Sequence, residues 1–252
     1  MKYFLPILIL FAFTVHAQEY TAQHTTGKLL LEDVDNAHIT VYDGNEIIIN
    51  ADVYRGSEDR ERSKGLKVVN SLGLDDNTEL GLSAQKNGED FKVIGIGSGH
   101  DGTYRFKIPR SMGVDYSHST YDSDDLIIDG VSEEIVVSTN YSDIELLNVT
   151  GPMSIKTVYG DIEASFNTLN QEGSVSLNSV YGLVDIAVPS ATKADISLRT
   201  PYGQILTDMN IQVDKTDGMR ELNSKHVVGT LNDGGVDLIL KSGYENIYLR
   251  KN

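Results

Sequence analysis

The 252-residue chain contains no cysteine. Disulfide bonds and thiolate metal sites are therefore excluded, and so is lipid attachment through an N-terminal cysteine. The fold must be held together by side-chain packing and by hydrogen bonds between strands. The six histidines show no metal-ligand spacing either. The sequence predicts no cofactor of these kinds.

Basic residues are scarce. The chain has 21 lysines and arginines against 37 aspartates and glutamates, which gives a formal net charge of −16. A chain this acidic repels phosphate groups instead of neutralising them. The composition therefore predicts that nucleic acid is not a partner.

Two common catalytic or nucleotide-binding motifs are also missing. There is no Gly-x-Ser-x-Gly element of the kind that carries a nucleophilic serine. The glycine-rich segment Gly95–His100 lacks the lysine and the strand–loop–helix context that a phosphate-binding loop requires. We interpret that segment as a glycine turn, and the sequence points to no enzyme class through these motifs.

The N-terminus has the features of a secretory signal peptide. Met1 and Lys2 precede an apolar stretch from Tyr3 to Val15, and the small residue Ala17 precedes Gln18. The apolar stretch is shorter than the roughly 20 residues of a spanning helix, which disfavours a membrane anchor. We therefore expect residues 1–17 to be cleaved. The mature chain would be periplasmic, on the cell surface or extracellular, would not span the membrane, and would be more acidic by the loss of one lysine.

A short phrase around a tyrosine recurs five times in the second half of the chain. The tyrosines are Tyr141, Tyr159, Tyr181, Tyr202 and Tyr244, at spacings of 18, 22, 21 and 42 residues. Apolar residues lie six and four positions before each tyrosine, and a hydroxyl residue lies two positions before. An aliphatic residue lies three positions after: Ile144, Ile162, Val184, Ile205 or Ile247. A period near 20 residues with such alternation predicts that residues 115–252 form consecutive coils of a β-solenoid, with these five aliphatic residues stacked in one interior column.

The phase of the alternation predicts a bend in every coil. Between Val175 and Val188 the apolar residues occupy odd positions up to Tyr181 and even positions from Val184. One straight strand would send one of these two sets outward. The residue after the tyrosine is glycine in three copies, Gly160, Gly182 and Gly203, and we interpret it as supplying the backbone angles of a corner. Each coil is then a strand, a corner and a second strand.

The N-terminal half also has strand patterns. They cover residues 28–31, 38–42, 46–53, 66–70, 80–84, 91–96 and 104–108, with Asp43–Asn45 as a turn and a short helical turn at 57–63. Two similar devices, Ile108-Pro109 and Val188-Pro189, each end a strand and are followed by an apolar residue five positions past the proline. Since the device occurs in both halves, we predict one domain over residues 18–252.

The predicted fold class is therefore all-β. It is a single-stranded, right-handed β-solenoid with coils of about 20 residues, because crossovers between parallel strands are nearly always right-handed. The polar segment 208–226 falls inside the 42-residue gap and is predicted to be a loop insertion in a single coil.

Several phrases resemble a known family. Thr157–Ile162, Gly229–Val236 and the paired proline devices resemble a large bacterial family of exported β-strand-repeat proteins that is usually labelled "putative adhesin". The resemblance runs from about Leu30 to the end of the chain. It implies an exported, adhesin-like solenoid and supplies no catalytic residues. The chain departs from the family in having tyrosine before the glycine, where a small residue is expected.

Two columns of repeated residues share the phase of the interior. The hydroxyl column (Thr139, Thr157, Ser179, Thr200 and Ser242) is predicted to lie inside, with its hydroxyls bonded within the coil and not on an ice-binding face. The tyrosines could form a carbohydrate-stacking platform. Their phase favours instead an internal ladder, or one that lies over the corner.

Acidic residues face outward in the repeats. The acidic stripe comprises Asp143, Glu145, Asp161, Glu163 and Asp185, and Asp122, Asp124 and Asp125 extend it by one coil. Equivalent residues of neighbouring coils lie about 4.8 Å apart, so their charges repel. That repulsion makes the stripe a candidate for Ca²⁺ or for a basic partner. The alternative is a solvated face that prevents aggregation of sheet edges.

The sequence favours a non-catalytic, adhesin-like module that binds a protein or glycan partner at the cell envelope or surface. The enzymatic alternative is a polysaccharide-cleaving β-helix whose acid and base come from Asp122, Asp124, Asp125, Asp143 and Asp161. It is disfavoured because the stripe is predicted to have no basic residues beside it. A cell-envelope stress or assembly factor is a third possibility that the sequence does not separate from the first.

Overall fold

The structure is a computed structural model that describes residues 19–53, 62, 65–66, 73–96, 102–121, 125–213 and 225–252. The predicted signal peptide, most of the predicted helical turn at 57–63, Asp122 and Asp124 lie outside the described residues. So do most of the strand predicted at 66–70, most of the glycine segment 95–100, and residues 214–224 of the loop predicted at 208–226.

The described part of the chain is built from 21 strands. They are β1 (Glu19–Gln23), β2 (Lys28–Glu32), β3 (Ala37–Tyr42), β4 (Glu46–Val53), β5 (Leu82–Asn87), β6 (Asp90–Gly95), β7 (Gly102–Pro109), β8 (Gly113–His118), β9 (Asp125–Asp129), β10 (Ile135–Thr139), β11 (Asp143–Val149), β12 (Met153–Thr157), β13 (Ile162–Phe166), β14 (Ser174–Ser179), β15 (Val184–Val188), β16 (Ala194–Arg199), β17 (Ile205–Thr207), β18 (Gln212–Val213), β19 (His226–Leu231), β20 (Val236–Ser242) and β21 (Ile247–Lys251). The all-β prediction is confirmed.

The strands form two sheets that face each other across one apolar core. Sheet 1 has the order β18-β19-β16-β20-β14-β12-β10-β8-β2-β6-β5, and sheet 2 has the order β1-β4-β7-β3-β9-β11-β13-β15-β21-β17. Each coil places its first strand in sheet 1 and its second strand in sheet 2, and neighbouring coils pair in parallel. The architecture is therefore solenoid-like. No helix in the described ranges is long and apolar enough to cross a membrane.

The coils do not stack in chain order, which corrects the prediction of consecutive coils from residue 115 to the end. The last coil, β20–β21, lies between β14–β15 and β16–β17. Leu238 pairs with Val175 on one side and with Ile196 on the other, and Ile247 pairs with both Val184 and Ile205. The predicted interior column exists, but its spatial order is Ile144, Ile162, Val184, Ile247 and Ile205.

The N-terminal end is arranged in the same way. Coil β2–β3 lies between β6–β7 and β8–β9. The two proline devices form equivalent turns, in which Met112 N donates to Pro109 O and Thr192 N donates to Pro189 O. The turn at Pro109 leads from coil β6–β7 to coil β8–β9, and coil β2–β3 lies between them. The turn at Pro189 leads from coil β14–β15 to coil β16–β17, and coil β20–β21 lies between them. Antiparallel strands cover both ends: β5 with the β1–β4 pair at one end, and β18–β19 at the other.

The hydroxyl column is buried and makes hydrogen bonds within the coil, as predicted, and it also joins neighbouring coils, which was not predicted. Ser179 Oγ donates to the carbonyl of Gly160 at 2.8 Å and accepts the N–H of Gly182 at 2.9 Å. Ser242 repeats the pattern one coil further on, donating to Gly182 O at 2.9 Å and accepting Glu245 N–H at 3.1 Å. Ser179 and Ser242 therefore each close the corner of their own coil and bond to the corner of a neighbouring coil.

The corner glycines have a different role from the one predicted. Gly160, Gly182 and Gly203 do not have a positive φ. A Cβ on Gly182 would instead lie 2.0 Å from the carbonyl oxygen of Gly160, and the other two glycines meet a neighbouring carbonyl at 1.9 Å. Glycine is required here because the backbones of two coils approach closely, and not because of the backbone angle.

Gly182→Ala is expected to destabilise the protein by about 1–3 kcal/mol, because the methyl group overpacks a corner that hydrogen bonds hold in place. The melting temperature should fall by several degrees, at roughly 2–4 °C per kcal/mol for a chain of this size. Glu245→Ala is the matched control: it changes the equivalent corner position, where a Cβ already fits and the side chain is exposed. Equal melting temperatures for the two variants would contradict the close approach.

Candidate functional site

The five repeat tyrosines lie over the corners between the two sheets and are exposed. Their exposed fractions are 45% for Tyr141, 54% for Tyr159, 45% for Tyr181, 48% for Tyr244 and 70% for Tyr202. The internal version of the predicted ladder is therefore wrong, and the version over the corner is confirmed. The cause is the hydroxyl two residues earlier: it accepts the N–H of the residue after the tyrosine, and the tyrosine itself bulges outward.

The tyrosine rings form one continuous stack, which we call the tyrosine ladder. In space its order is Tyr141, Tyr159, Tyr181, Tyr244 and Tyr202, with centroid separations of 5.1, 5.0, 4.8 and 4.9 Å and interplanar angles of 14°, 6°, 13° and 8°. These values lie in the range of offset-stacked aromatic pairs. Tyr244 completes the ladder only because the last coil is inserted between its neighbours.

The stacked rings present their outer edges and phenol hydroxyls to solvent. The three inner rings, Tyr159, Tyr181 and Tyr244, have a neighbour on each face. None of the five phenol hydroxyls bonds to another residue in the part of the chain that the structure describes. The ladder is therefore a row of hydrogen-bonding groups on an apolar support, and not a set of open ring faces.

A basic column runs beside the ladder on the outer face of sheet 1. It consists of the residues three positions before each tyrosine, in the spatial order Ser138, Lys156, Asn178, Lys241 and Arg199. Lys156, Lys241 and Arg199 are exposed, and none of them forms an ion pair with any described residue. This column was not predicted from the sequence, although a cation lies at a fixed offset from three of the tyrosines.

The acidic stripe faces outward on sheet 2, on the other side of the ladder. Glu145, Glu163 and Asp185 share one register row. The other two acids bond to the backbone of the next coil: Asp143 Oδ1 accepts the N–H of Asp161 at 2.8 Å, and Asp161 Oδ1 accepts the N–H of Leu183 at 2.9 Å. These two aspartates therefore help to hold successive coils in register.

Asp185 has a basic neighbour, contrary to the prediction that the stripe has none. Nε and Nη2 of Arg250 each donate to the Asp185 carboxylate at 2.7 Å. This hydrogen bonding raises the pKa of the Arg250 guanidinium. Arg250 also lies over the ring of Tyr248, 5.0 Å from its centroid. The pairing was not visible in the sequence because the two strands are 65 residues apart and become neighbours through the inserted coil.

Five acids line one open groove of about 280 Å³ on sheet 2: Asp125, Asp143, Glu145, Asp161 and Glu163. Within the described ranges, no group of three or more histidine, aspartate or glutamate side chains is arranged to hold a metal ion. The Ca²⁺ site predicted at the stripe therefore stays a prediction. Glu145 and Glu163 are the pair that a divalent ion would bridge, since they are register partners and their neighbours have other contacts.

The prediction for Ca²⁺ is that millimolar CaCl₂ raises the melting temperature more than NaCl does at the same ionic strength, because a bridging ion binds the native state preferentially. The variant Glu145→Gln with Glu163→Gln should lose the difference between the salts and keep the shift due to screening. Equal shifts in the unaltered protein, or a Ca²⁺ effect that survives both substitutions, would reduce the stripe to a solvated face.

Two other surface depressions offer no catalytic arrangement. One, of about 280 Å³, is lined by Ser117, His118, Ser138 and Asn140 among others, but the His118 ring is fully buried and bonds to Asp35 at 2.8 Å. The other, of about 320 Å³, lies between the loops at 167–171 and 189–193, at another corner of the coils. Both volumes are at the low end for small-molecule sites.

The comparisons with known proteins concern the fold and the family. The family model described as Toastrack DUF4097 matches residues 111–243, just over half of the chain, including four of the five ladder tyrosines. This match confirms the resemblance to a family of β-strand-repeat proteins. A crystal structure of a "putative cell adhesion protein" from Clostridium sporogenes ATCC 15579 aligns with 94% of this chain and 100% of that chain, at 9% identity and a TM-score of 0.47. No curated protein matches the chain in sequence.

Proposed function

We propose that this chain, which belongs to the Toastrack DUF4097 family, is a non-catalytic, adhesin-like interaction module of the cell envelope or cell surface. The observation that carries the proposal is the exposed tyrosine ladder, which crosses five coils and has cations on one side and acids on the other. Tyrosine and arginine are enriched in binding interfaces, because they combine a large apolar area with hydrogen-bonding groups. The partner is a protein or a glycan.

The polysaccharide-cleaving alternative has less support. It requires a pair of carboxylates that are free to act as acid and base on either side of a bound sugar. Asp143 and Asp161 instead accept backbone N–H groups, and their groove is shallow and open. No observation on the described residues favours this activity.

The domain bounds, the export of the chain, the handedness and the coil length are also part of the proposal. Residues 18–252 form one domain, exported after removal of residues 1–17, with a right-handed winding and coils of about 20 residues. Sheets that run without interruption from the N-terminal strands into the repeats support a single domain. Register partners 18 and 22 residues apart, such as Ile144 with Ile162 and Ile162 with Val184, support the coil length.

The test is binding of the purified mature chain to cell envelopes of the organism that produces it. The variant Tyr159→Ser, Tyr181→Ser and Tyr244→Ser removes the centre of the ladder, and Tyr248→Ser is the control for a tyrosine outside it. Loss of an interface hot spot costs about 2 kcal/mol or more, so binding should weaken at least tenfold. Circular dichroism should show that the variant is folded. Undiminished binding of the folded ladder variant, or no binding of the unaltered chain, would refute the proposal.

A further inference from the structure

The tyrosine ladder and the basic column together form a strip of repeated rows. Each coil contributes one row: Lys156 with Tyr159, Lys241 with Tyr244 and Arg199 with Tyr202, while Asn178 and Ser138 occupy the same place in the other two rows. The five tyrosines extend over roughly 20 Å, at about one strand spacing per row. The strip therefore offers the same two chemical groups, a phenol and a polar or cationic side chain, at a constant interval.

The charge of the strip is opposite to that of the chain. The formal net charge is −16. Outside the strip, Lys86, Lys107 and Lys193 also form no ion pair with a described residue, but they lie on separate strands and loops and not in one row, while Lys28, Lys92, Arg105 and Arg250 are paired with carboxylates. The three cations of the strip have no such partner among the described residues. Exposed cations held close together without counter-charges favour an anionic ligand, because each contact with an anion relieves their mutual repulsion.

The shape of the strip favours a linear polymer over a folded protein. It is one tyrosine and one cation wide, whereas a stable protein interface buries about 800 Å² on each partner. A constant row interval suits a ligand that repeats a unit along its length. An extended glycan repeats a sugar unit whose length is close to the spacing of the rows. Its hydroxyls can bond to the phenol hydroxyls of the ladder.

We infer that the strip binds an extended acidic polysaccharide, an inference that rests on the proposed function and specifies its partner. The carboxylates of the polymer contact Lys156, Lys241 and Arg199, where the arginine fork fits a carboxylate with two hydrogen bonds. The polymer lies on the sheet 1 side of the ladder, since Asp143 and Asp161 repel it on the other side. In the next row of sheet 1 beside the basic column, the outward hydroxyls of Ser154 and Ser176 add further hydrogen-bonding groups, whereas Ser197 in the same row bonds to His226 at 3.0 Å.

The experiment measures binding of the mature chain to polygalacturonate by isothermal titration calorimetry, with dextran as the neutral polysaccharide and poly-glutamate as the acidic polypeptide. We expect binding to polygalacturonate alone, weakened by added salt. The variant Lys156→Gln, Lys241→Gln and Arg199→Gln should bind at least tenfold more weakly and melt at the same temperature. The control variant Lys86→Gln, Lys107→Gln and Lys193→Gln removes the same charge from exposed positions outside the strip and should bind normally.

Each unexpected outcome overturns a definite part of the inference. Equal binding of poly-glutamate would show that charge alone is recognised and would exclude the glycan class. Equal loss of binding in the control variant would exclude the strip as the site. Absence of polygalacturonate binding, with envelope binding still dependent on the tyrosines, would reject the acidic polysaccharide and leave the proposed function intact. Envelope binding that ignores the tyrosines would reject the proposed function itself.

Discussion

Deleting residues 236–252 is expected to unfold the whole solenoid instead of shortening it by one coil. The deleted coil lies inside the stack, so its loss leaves β14–β15 and β16–β17 without their shared partner. Leu238, Leu240, Ile247 and Leu249 are fully buried. Each such side chain contributes about 1.5–3 kcal/mol, and together they approach the total stability of a typical domain, about 5–15 kcal/mol.

Circular dichroism and thermal melting of the truncated chain measure this effect. The control is deletion of β1, a terminal edge strand of the described structure that pairs with β4 and has alternately exposed residues. That variant should lose a few degrees in melting temperature and still unfold cooperatively. If the chain lacking 236–252 shows a β-sheet spectrum and melts near the temperature of the intact protein, the last coil is not an internal one.

Ile162→Asp is expected to unfold the protein or to destabilise it by more than about 4 kcal/mol, which is exceptional for one substitution. Ile162 is fully buried between Ile144 and Val184 in the interior column. A carboxylate at this position would lose its hydration without gaining a partner. The measurement is the midpoint of thermal or urea unfolding.

Glu163→Ala is the matched control for Ile162→Asp, because the adjacent side chain is exposed on the outer face of the same strand. Its effect should stay within about 0.5 kcal/mol, as for most surface substitutions. It can also be slightly stabilising, since it removes one carboxylate from a row of three. An unchanged midpoint for Ile162→Asp would show that the column is not in the interior.

The interior of the solenoid was predictable because local alternation determines it. The strands at 28–32, 37–42 and 46–53 and the column around Ile162 follow from period-2 patterns that do not depend on distant parts of the chain. The order of the coils was not predictable. Every repeat presents the same apolar pattern on both of its edges, so any coil can pair with any other. Strand pairing was equally unpredictable at Asp43–Asn45. This turn connects β3 and β4, but the two strands do not pair, because β7 lies between them.

The position of the tyrosines was predicted wrongly from the phase of the alternation. If the first strand continued through the tyrosine, the ring would lie inside. The strand ends earlier, at Thr139, Thr157, Ser179 or Ser242 in four of the coils. Beyond that residue the chain turns on a hydrogen bond to the hydroxyl, and alternation no longer predicts which face a side chain takes. A hydroxyl three positions before a glycine was the local signal that the strand stopped there.

The tyrosine ladder and the ion pair of Asp185 with Arg250 both depend on which coils are neighbours, and this is the central claim of the structure. The absence of cysteine makes it testable with introduced pairs. Ser176→Cys with Ile239→Cys places cysteines on adjacent strands, with their Cα atoms about 4.8 Å apart and within the range of a disulfide. Ser176→Cys with Ser197→Cys places them two strands apart, beyond that range. Under mild oxidation the first pair should form an intramolecular disulfide and the second should not; a disulfide in the second pair alone would show that the coils stack in chain order and would contradict the structure.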